Sequence, residues 1–197
     1  MSLSILDYGA GNLKSIINVL EYLNYKYKII TSTSEINNSK ILLLPGVGHF
    51  GQLMNHFSAS NLIEPLKDYI QSDKPFLGIC LGMQILFESS EEAPGEKGLC
   101  IFPGKVVKFT KGKVPQIGWN RISITPGNKI LTEDYFYFVN SYCVKTDNKE
   151  IIAATTDYYD TFVSAVEKKN LLAMQFHPEK SGKAGLKVIK RWLEHVN

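Results

Sequence analysis

The sequence predicts an α/β fold, a parallel central sheet flanked by helices, with a β-rich second half that continues the same unit. Up to residue 88, short apolar runs alternate with stretches whose apolar residues recur at helical spacing, the pattern of repeated β-α units. From Leu99 to Gln175 that spacing gives way to strand-like runs separated by Gly, Asn, Asp and Lys. With 197 residues and no linker, repeat or low-complexity tract, the chain reads as one domain over residues 1–197.

Residues 3–7 form the first strand, and Asp7-Tyr8-Gly9-Ala10-Gly11-Asn12 turns it into a helix with Leu13, Ile16, Ile17 and Leu20 on one face. A dinucleotide fingerprint needs a third glycine where this chain has Lys14, so the motif reads as a turn that shapes a surface. Residues 27–31 are the second strand. Ile41-Leu42-Leu43-Leu44 is the third, and its unbroken apolar character suits burial on both sheet faces. It ends in Pro45-Gly46-Val47-Gly48, whose glycines leave the peptides free to turn an N–H toward a bound oxyanion. Asn61 followed by Glu64 marks a helix start, with Leu62, Ile63, Leu66 and Ile70 on the buried face.

After Ala93-Pro94-Gly95, strands are expected at residues 106–109, 121–124, 135–139, 151–155, 162–166 and 171–174. Residues 115–120 and 135–142 combine aromatic and polar side chains, and the polar tips of Trp119, Tyr137 and Tyr142 need partners wherever they are buried. A final helix from about Ser181 presents Val188, Ile189, Trp192, Leu193 and Val196.

The chemistry centres on residues 75–84. Phe76 to Ile79 reads as a buried strand and residues 83–88 as the following helix, which puts Cys80 at the turn between them. Gly78 and Gly82 let strand and helix backbones approach closely, as around the nucleophile of a G-x-S-x-G turn. A thiol at a helix N-terminus faces unpaired N–H groups and the positive dipole end, which favour thiolate. His177-Pro178-Glu179 lies between the last strand and the last helix. Residues two apart in an extended segment project to one side, so His177 can take the proton of Cys80 while Glu179 orients the imidazole.

Composition removes other classes. A net charge of +3, with Lys and Arg dispersed, gives no basic groove for nucleic acid. Cys80, Cys100 and Cys143 have neither C-x-x-C spacing nor an even count, which fits a reducing, cytoplasmic setting. Neither a signal peptide nor a membrane span is expected, and no metal site is indicated.

The Gly-x-Cys-x-Gly elbow on a parallel sheet, with a later His-x-Glu, resembles class I glutamine amidotransferases, whose fold is flavodoxin-like. Tyr8 to Asn12, Pro45 to Gly48, Gly78 to Gln84, Gly118 to Asn120 and Phe176 to Ser181 look like the glutaminase subunits of imidazole glycerol phosphate synthases. The resemblance implies hydrolysis of L-glutamine to glutamate and ammonia without a cofactor, the ammonia being channelled within a heterodimer to a (β/α)8 cyclase. It implies Cys80, His177 and Glu179 as the triad, and N–H groups of Leu81 and of Val47 or Gly48 as the oxyanion hole. Gln84, Glu92, Ser141 and Tyr142 would hold glutamine. The docking face would include Asn12, Trp119, Asn120, Tyr137 and Lys180. That family commonly has His where this chain has Asn140, and its paralogues also feed sugar amidotransferases, so that acceptor stands as an alternative. A free-standing cysteine hydrolase is the more distant one.

Overall fold

The computed structural model describes residues 3–9 and 13–197. In chain order the elements are β1 (Leu3–Leu6), α1 (Leu13–Tyr22), β2 (Tyr27–Ile30), α2 (Thr33–Asn37), β3 (Ile41–Leu44), α3 (Phe50–Ala59), α4 (Ile63–Gln71), β4 (Phe76–Ile79) and α5 (Leu81–Gln84). There follow β5 (Ser89–Ser90), β6 (Lys105–Lys108), β7 (Gln116–Ile124), β8 (Tyr135–Asn140), β9 (Tyr142–Lys145), β10 (Ile152–Tyr158), β11 (Asp160–Lys168), β12 (Leu171–Met174) and α6 (Gly182–Val196). The strand order is β2-β1-β3-β4-β12-β11-β10-β7-β8, with β5, β6 and β9 attached beside it. Pairing is parallel from β2 to β12 and antiparallel from β12 to β8.

The apolar runs become strands because both of their faces are covered. β1, β3, β4 and β12 are buried along their whole length. Successive side chains of a strand point to opposite faces, and β3 shows it: Ile41 and Leu43 pack with Ile16, Leu20, Val188 and Trp192 of α1 and α6. Leu42 and Leu44 pack on the other side with Leu53, Phe57 and Leu66 of α3 and α4. The adjacent strands β3, β4 and β12 are parallel, so their carboxyl ends open on one sheet edge, the usual place for a site in such a sheet.

Three local expectations are corrected. The helix expected over residues 83–88 is the single turn α5, because the carbonyls of Ile85, Leu86 and Phe87 accept from N–H groups of residues 99–102 instead of continuing a helix. Asn61 does not start α4; it stands at φ 54° just beyond α3, donating its N–H back to Ser58, and Leu62 occupies the position before α4. Glu179 lies in a 3-10 turn, Pro178–Lys180, rather than in an extended segment. Among the described residues no helix is long and apolar enough to cross a membrane.

Gly82 marks where the elbow meets β3: a Cβ there would stand 2.4 Å from the Leu44 carbonyl oxygen. Backbone cannot yield as a side chain does, so Gly82→Ala is expected to cost about 1–3 kcal/mol. Thermal melting should drop by several degrees; an unchanged melting temperature contradicts the packing.

Candidate active site

Cys80 follows β4 in a conformation that side chains rarely adopt, φ 55° and ψ −106°. Its N–H donates to the Met174 carbonyl at 2.7 Å, and its own carbonyl accepts from Met83 and Gln84 at 2.9 and 3.2 Å. A strained non-glycine residue at a strand-to-helix turn is the geometry of a nucleophile elbow. Since α5 is only four residues long, its dipole gives the sulfur less help than a full helix would.

His177 and Glu179 come from the segment after β12. Their pairing depends on local turns: Pro178 starts the 3-10 turn, Lys180 and Ser181 donate N–H groups to the carbonyls of His177 and Pro178, and buried Ser181 donates its hydroxyl to the His177 carbonyl at 2.6 Å. The result sets Glu179 Oε1 2.7 Å from His177 Nδ1, with both side chains nearly inaccessible. Nε2 makes no full hydrogen bond, yet the Cys80 sulfur is close enough to favour the protonated ring. Burial alone would lower the His177 pKa; the Cys80 sulfur and then the Glu179 carboxylate outweigh it and hold the ring up to about 10. The contact is slack, as catalytic hydrogen bonds often are before substrate binds.

A cavity of about 230 Å³ opens beside this cluster, lined by Gly48, Cys80, Leu81, Gln84, Glu92, Asn140, Ser141 and Tyr142 among others. All four residues expected to hold substrate therefore share one cavity with the thiol. Glu92 is partly committed, accepting the Phe50 N–H at the start of α3 at 2.7 Å. A larger concavity of about 730 Å³ lies elsewhere, but no cysteine or histidine lines it, and a depression without reactive groups is a weaker candidate.

The glutamine amidotransferase class-I family model matches residues 4–196. The chain belongs to the class I glutamine amidotransferases. It is 44% identical over 199 residues to the imidazole glycerol phosphate synthase subunit HisH of Caldanaerobacter subterraneus, covering 98% of both chains. It is 43% identical over 198 residues to the chloroplastic imidazole glycerol phosphate synthase hisHF of Arabidopsis thaliana, covering 96% of this chain and 33% of that one. A solved structure titled a glutamine amidotransferase superposes with a TM-score of 0.79 at 16% identity, covering 98% of each chain, which speaks for the fold.

In this amidotransferase two of the expected oxyanion donors, the N–H groups of Leu81 and Val47, are engaged elsewhere. The Leu81 N–H meets the Gly46 carbonyl at 3.4 Å. The Val47 N–H donates to the Tyr8 hydroxyl at 3.2 Å, and that hydroxyl lies 3.3 Å from the Val47 carbonyl. Burial, helped by the nearby Cys80 charge, pushes Tyr8 up to about 12, so the hydroxyl keeps its proton at neutral pH.

The docking candidates divide. Trp119 is 57% exposed and packs edge-on against Tyr137, ring centroids 6.1 Å apart; Lys180 is exposed. Asn120 is tied within the chain, donating to the Asp157 carbonyl at 2.9 Å. Asn12 lies outside the described residues. Sequence reasoning passed over Tyr8, Ser181 and Gln175. The Tyr8 hydroxyl accepts from the Val47 N–H and the Ser181 hydroxyl accepts from the Tyr137 N–H, both far away in sequence, which no local spacing encodes.

Because the folded His177 pKa lies above the ordinary 6.5, the contacts of its protonated ring add stability that is complete below about 6.5 and lost as pH rises through about 10. Nitrogen NMR should find an imidazolium at pH 8, and the melting temperature should fall between pH 7 and 10, less steeply in Cys80→Ala. A neutral ring at pH 8 contradicts the pairing.

Proposed function

We propose that this chain is the glutaminase subunit of an imidazole glycerol phosphate synthase, releasing ammonia from L-glutamine for a (β/α)8 cyclase partner in histidine biosynthesis. The observation that carries the glutaminase reading is the strained Cys80 beside the buried His177–Glu179 pair, at the mouth of a cavity that also presents Gln84, Glu92, Ser141 and Tyr142. Relatives of that name, matched over nearly the whole chain, support the partner. The Arabidopsis relative, in which two thirds of the chain lies outside the match, supports a partner closely associated with this subunit. The reading includes a cytoplasmic setting, in keeping with three free cysteines.

The thiolate of Cys80 attacks the side-chain amide carbon, and His177 passes its proton to the departing nitrogen. Water then hydrolyses the thioester, with His177 as base. The oxyanion needs donors from Leu81 and from Val47 or Gly48, and a partner supplies the preference for a loop that offers them. Docking on the Trp119 and Tyr137 face also reaches His177, because the Tyr137 carbonyl accepts the His177 backbone N–H at 2.9 Å.

A second reading keeps the chemistry and changes the acceptor to a surface sugar. It is favoured by Asn140, which lines the cavity with a buried, unpartnered Oδ1.

Glutamate release should be slow in the isolated chain and rise steeply with partner and acceptor substrate; ~3 kcal/mol of coupling corresponds to roughly 150-fold. Cys80→Ala should abolish it, and Tyr8→Phe should raise the rate of the isolated chain by freeing the Val47 N–H. Full activity alone, with no response to a barrel partner, contradicts the reading. A sugar amidotransferase that activates the chain where the cyclase does not selects the second.

A further inference from the structure

Gln175 has no part in the chemistry described so far. It directly follows β12 and is fully buried, and its N–H donates to the Ser164 carbonyl at 2.8 Å. Met174 pairs with Ile79 in parallel register, so the next residues, Gln175 and Cys80, stand side by side at the strand ends. The side chain of Gln175 closes a run of hydrogen bonds that starts at a backbone carbonyl and ends at the nucleophile. The Tyr142 carbonyl accepts from Gln84 Nε2 at 3.3 Å and from Asn140 Nδ2 at 2.9 Å. Gln84 Nε2 also donates to Gln175 Oε1 at 2.9 Å, and Gln175 Nε2 donates to the Cys80 sulfur at 3.4 Å.

One end of this run sets its direction. A backbone carbonyl has no hydrogen to give, so Gln84 must turn its NH2 group toward Tyr142. Gln175 must then present its oxygen to that NH2 group, which leaves its own NH2 for the sulfur. Reversing Gln175 alone would oppose two NH2 groups and set an oxygen against sulfur lone pairs, a double loss in a buried place.

We propose that Gln175 is a catalytic residue, a hydrogen-bond donor to the Cys80 sulfur that is locked in its donating orientation by Gln84 and the Tyr142 carbonyl. The proposal rests on the glutaminase reading for its consequences in turnover. In acylation, an electron pair of the thiolate forms the S–C bond, the C–N bond breaks, and the proton of His177 leaves with the nitrogen as ammonia. In deacylation, water gives a proton to His177, its oxygen bonds to the thioester carbon, and the C–S bond breaks with its electron pair returning to sulfur. Sulfur is anionic at the start of the first step and the end of the second, and neutral in the thioester between them. An N–H fixed on sulfur therefore stabilises both the resting nucleophile and the departing thiolate. The same lock commits the Gln84 NH2 group, so the atom that Gln84 can offer to the cavity is an acceptor, suited to an N–H of glutamine.

The test compares wild type with Gln175→Met, which removes the donor at similar length, and Gln175→Glu, which keeps an acceptor for Gln84 and changes the atom that faces sulfur. Alkylation by iodoacetamide is followed across pH by peptide mapping, with Cys100 as internal reference and melting curves as a check on folding; glutamine turnover is measured in parallel. Both variants are expected to slow Cys80 alkylation at pH 7 by about tenfold or more, the loss expected when a donor to a charged group is removed. Their rate profiles should move to higher pH, Cys100 should be unaffected, and kcat should fall more than KM rises. If Gln175→Met does not fold, Gln175→Glu carries the test, since it retains the contact to Gln84. Wild-type alkylation rates and an unmoved pH profile in a folded variant overturn the proposal. If wild-type Cys80 alkylates with the expected dependence on Gln175 but no condition yields glutamate, the glutaminase reading fails and the donor assignment stands.

Discussion

The site depends on a backbone conformation that Cys80 would not adopt unaided. At φ 55° a residue with a Cβ is strained by about 1–3 kcal/mol, and the turn persists because its surroundings leave no alternative. Its N–H is bound by β12 and its carbonyl by α5. Gly46, Gly78 and Gly82 are packed so closely that a Cβ at any of them would stand within 2.6 Å of another atom, in each case backbone of this same elbow or of β3. The packing that aims the sulfur also presses the Pro45 to Gly48 loop against Leu81. The Cys80 turn and the Pro45 to Gly48 loop are therefore one mechanical unit.

A second consequence concerns the opposite side of the site. The ribbon of β7 and β8 exposes Ile117, Trp119 and Tyr135, while the backbone of Tyr137 bonds to both the His177 N–H and the Ser181 hydroxyl. A body that settles on the aromatic face presses on β8, whose backbone holds the segment that carries His177. The thiol is fixed from within by the sheet, whereas the buried His177 is tied to the backbone of β8, whose other side chains reach the exposed face.

Much of this was legible in the chain. Unbroken apolar runs announced strands covered on both faces, and glycines two residues either side of Cys80 announced a turn with no room for side chains. Other features were opaque for physical reasons. Phe87 and its neighbours have helical composition, but tertiary hydrogen bonds from residues 99–102 claim their carbonyls, so α5 stops after one turn. Asn61 looks like a cap from its spacing to Glu64, yet asparagine also tolerates positive φ and here closes α3. His177 and Glu179 meet through a 3-10 turn, by a route that period-two reasoning did not foresee. Gln175 was hidden because its meaning comes from parallel register with Cys80, and register between strands so distant in sequence is not written in either of them.

The most direct test of this account is the covalent state of Cys80 during turnover. The chain, mixed with the cyclase proposed as its partner and supplied with glutamine, is quenched in acid and its peptides are weighed. The account predicts a γ-glutamyl group on the Cys80 peptide, present while glutamine lasts and gone when it is exhausted. Sustained glutamate release with Cys80 unmodified throughout, or with the adduct on another residue, would contradict it.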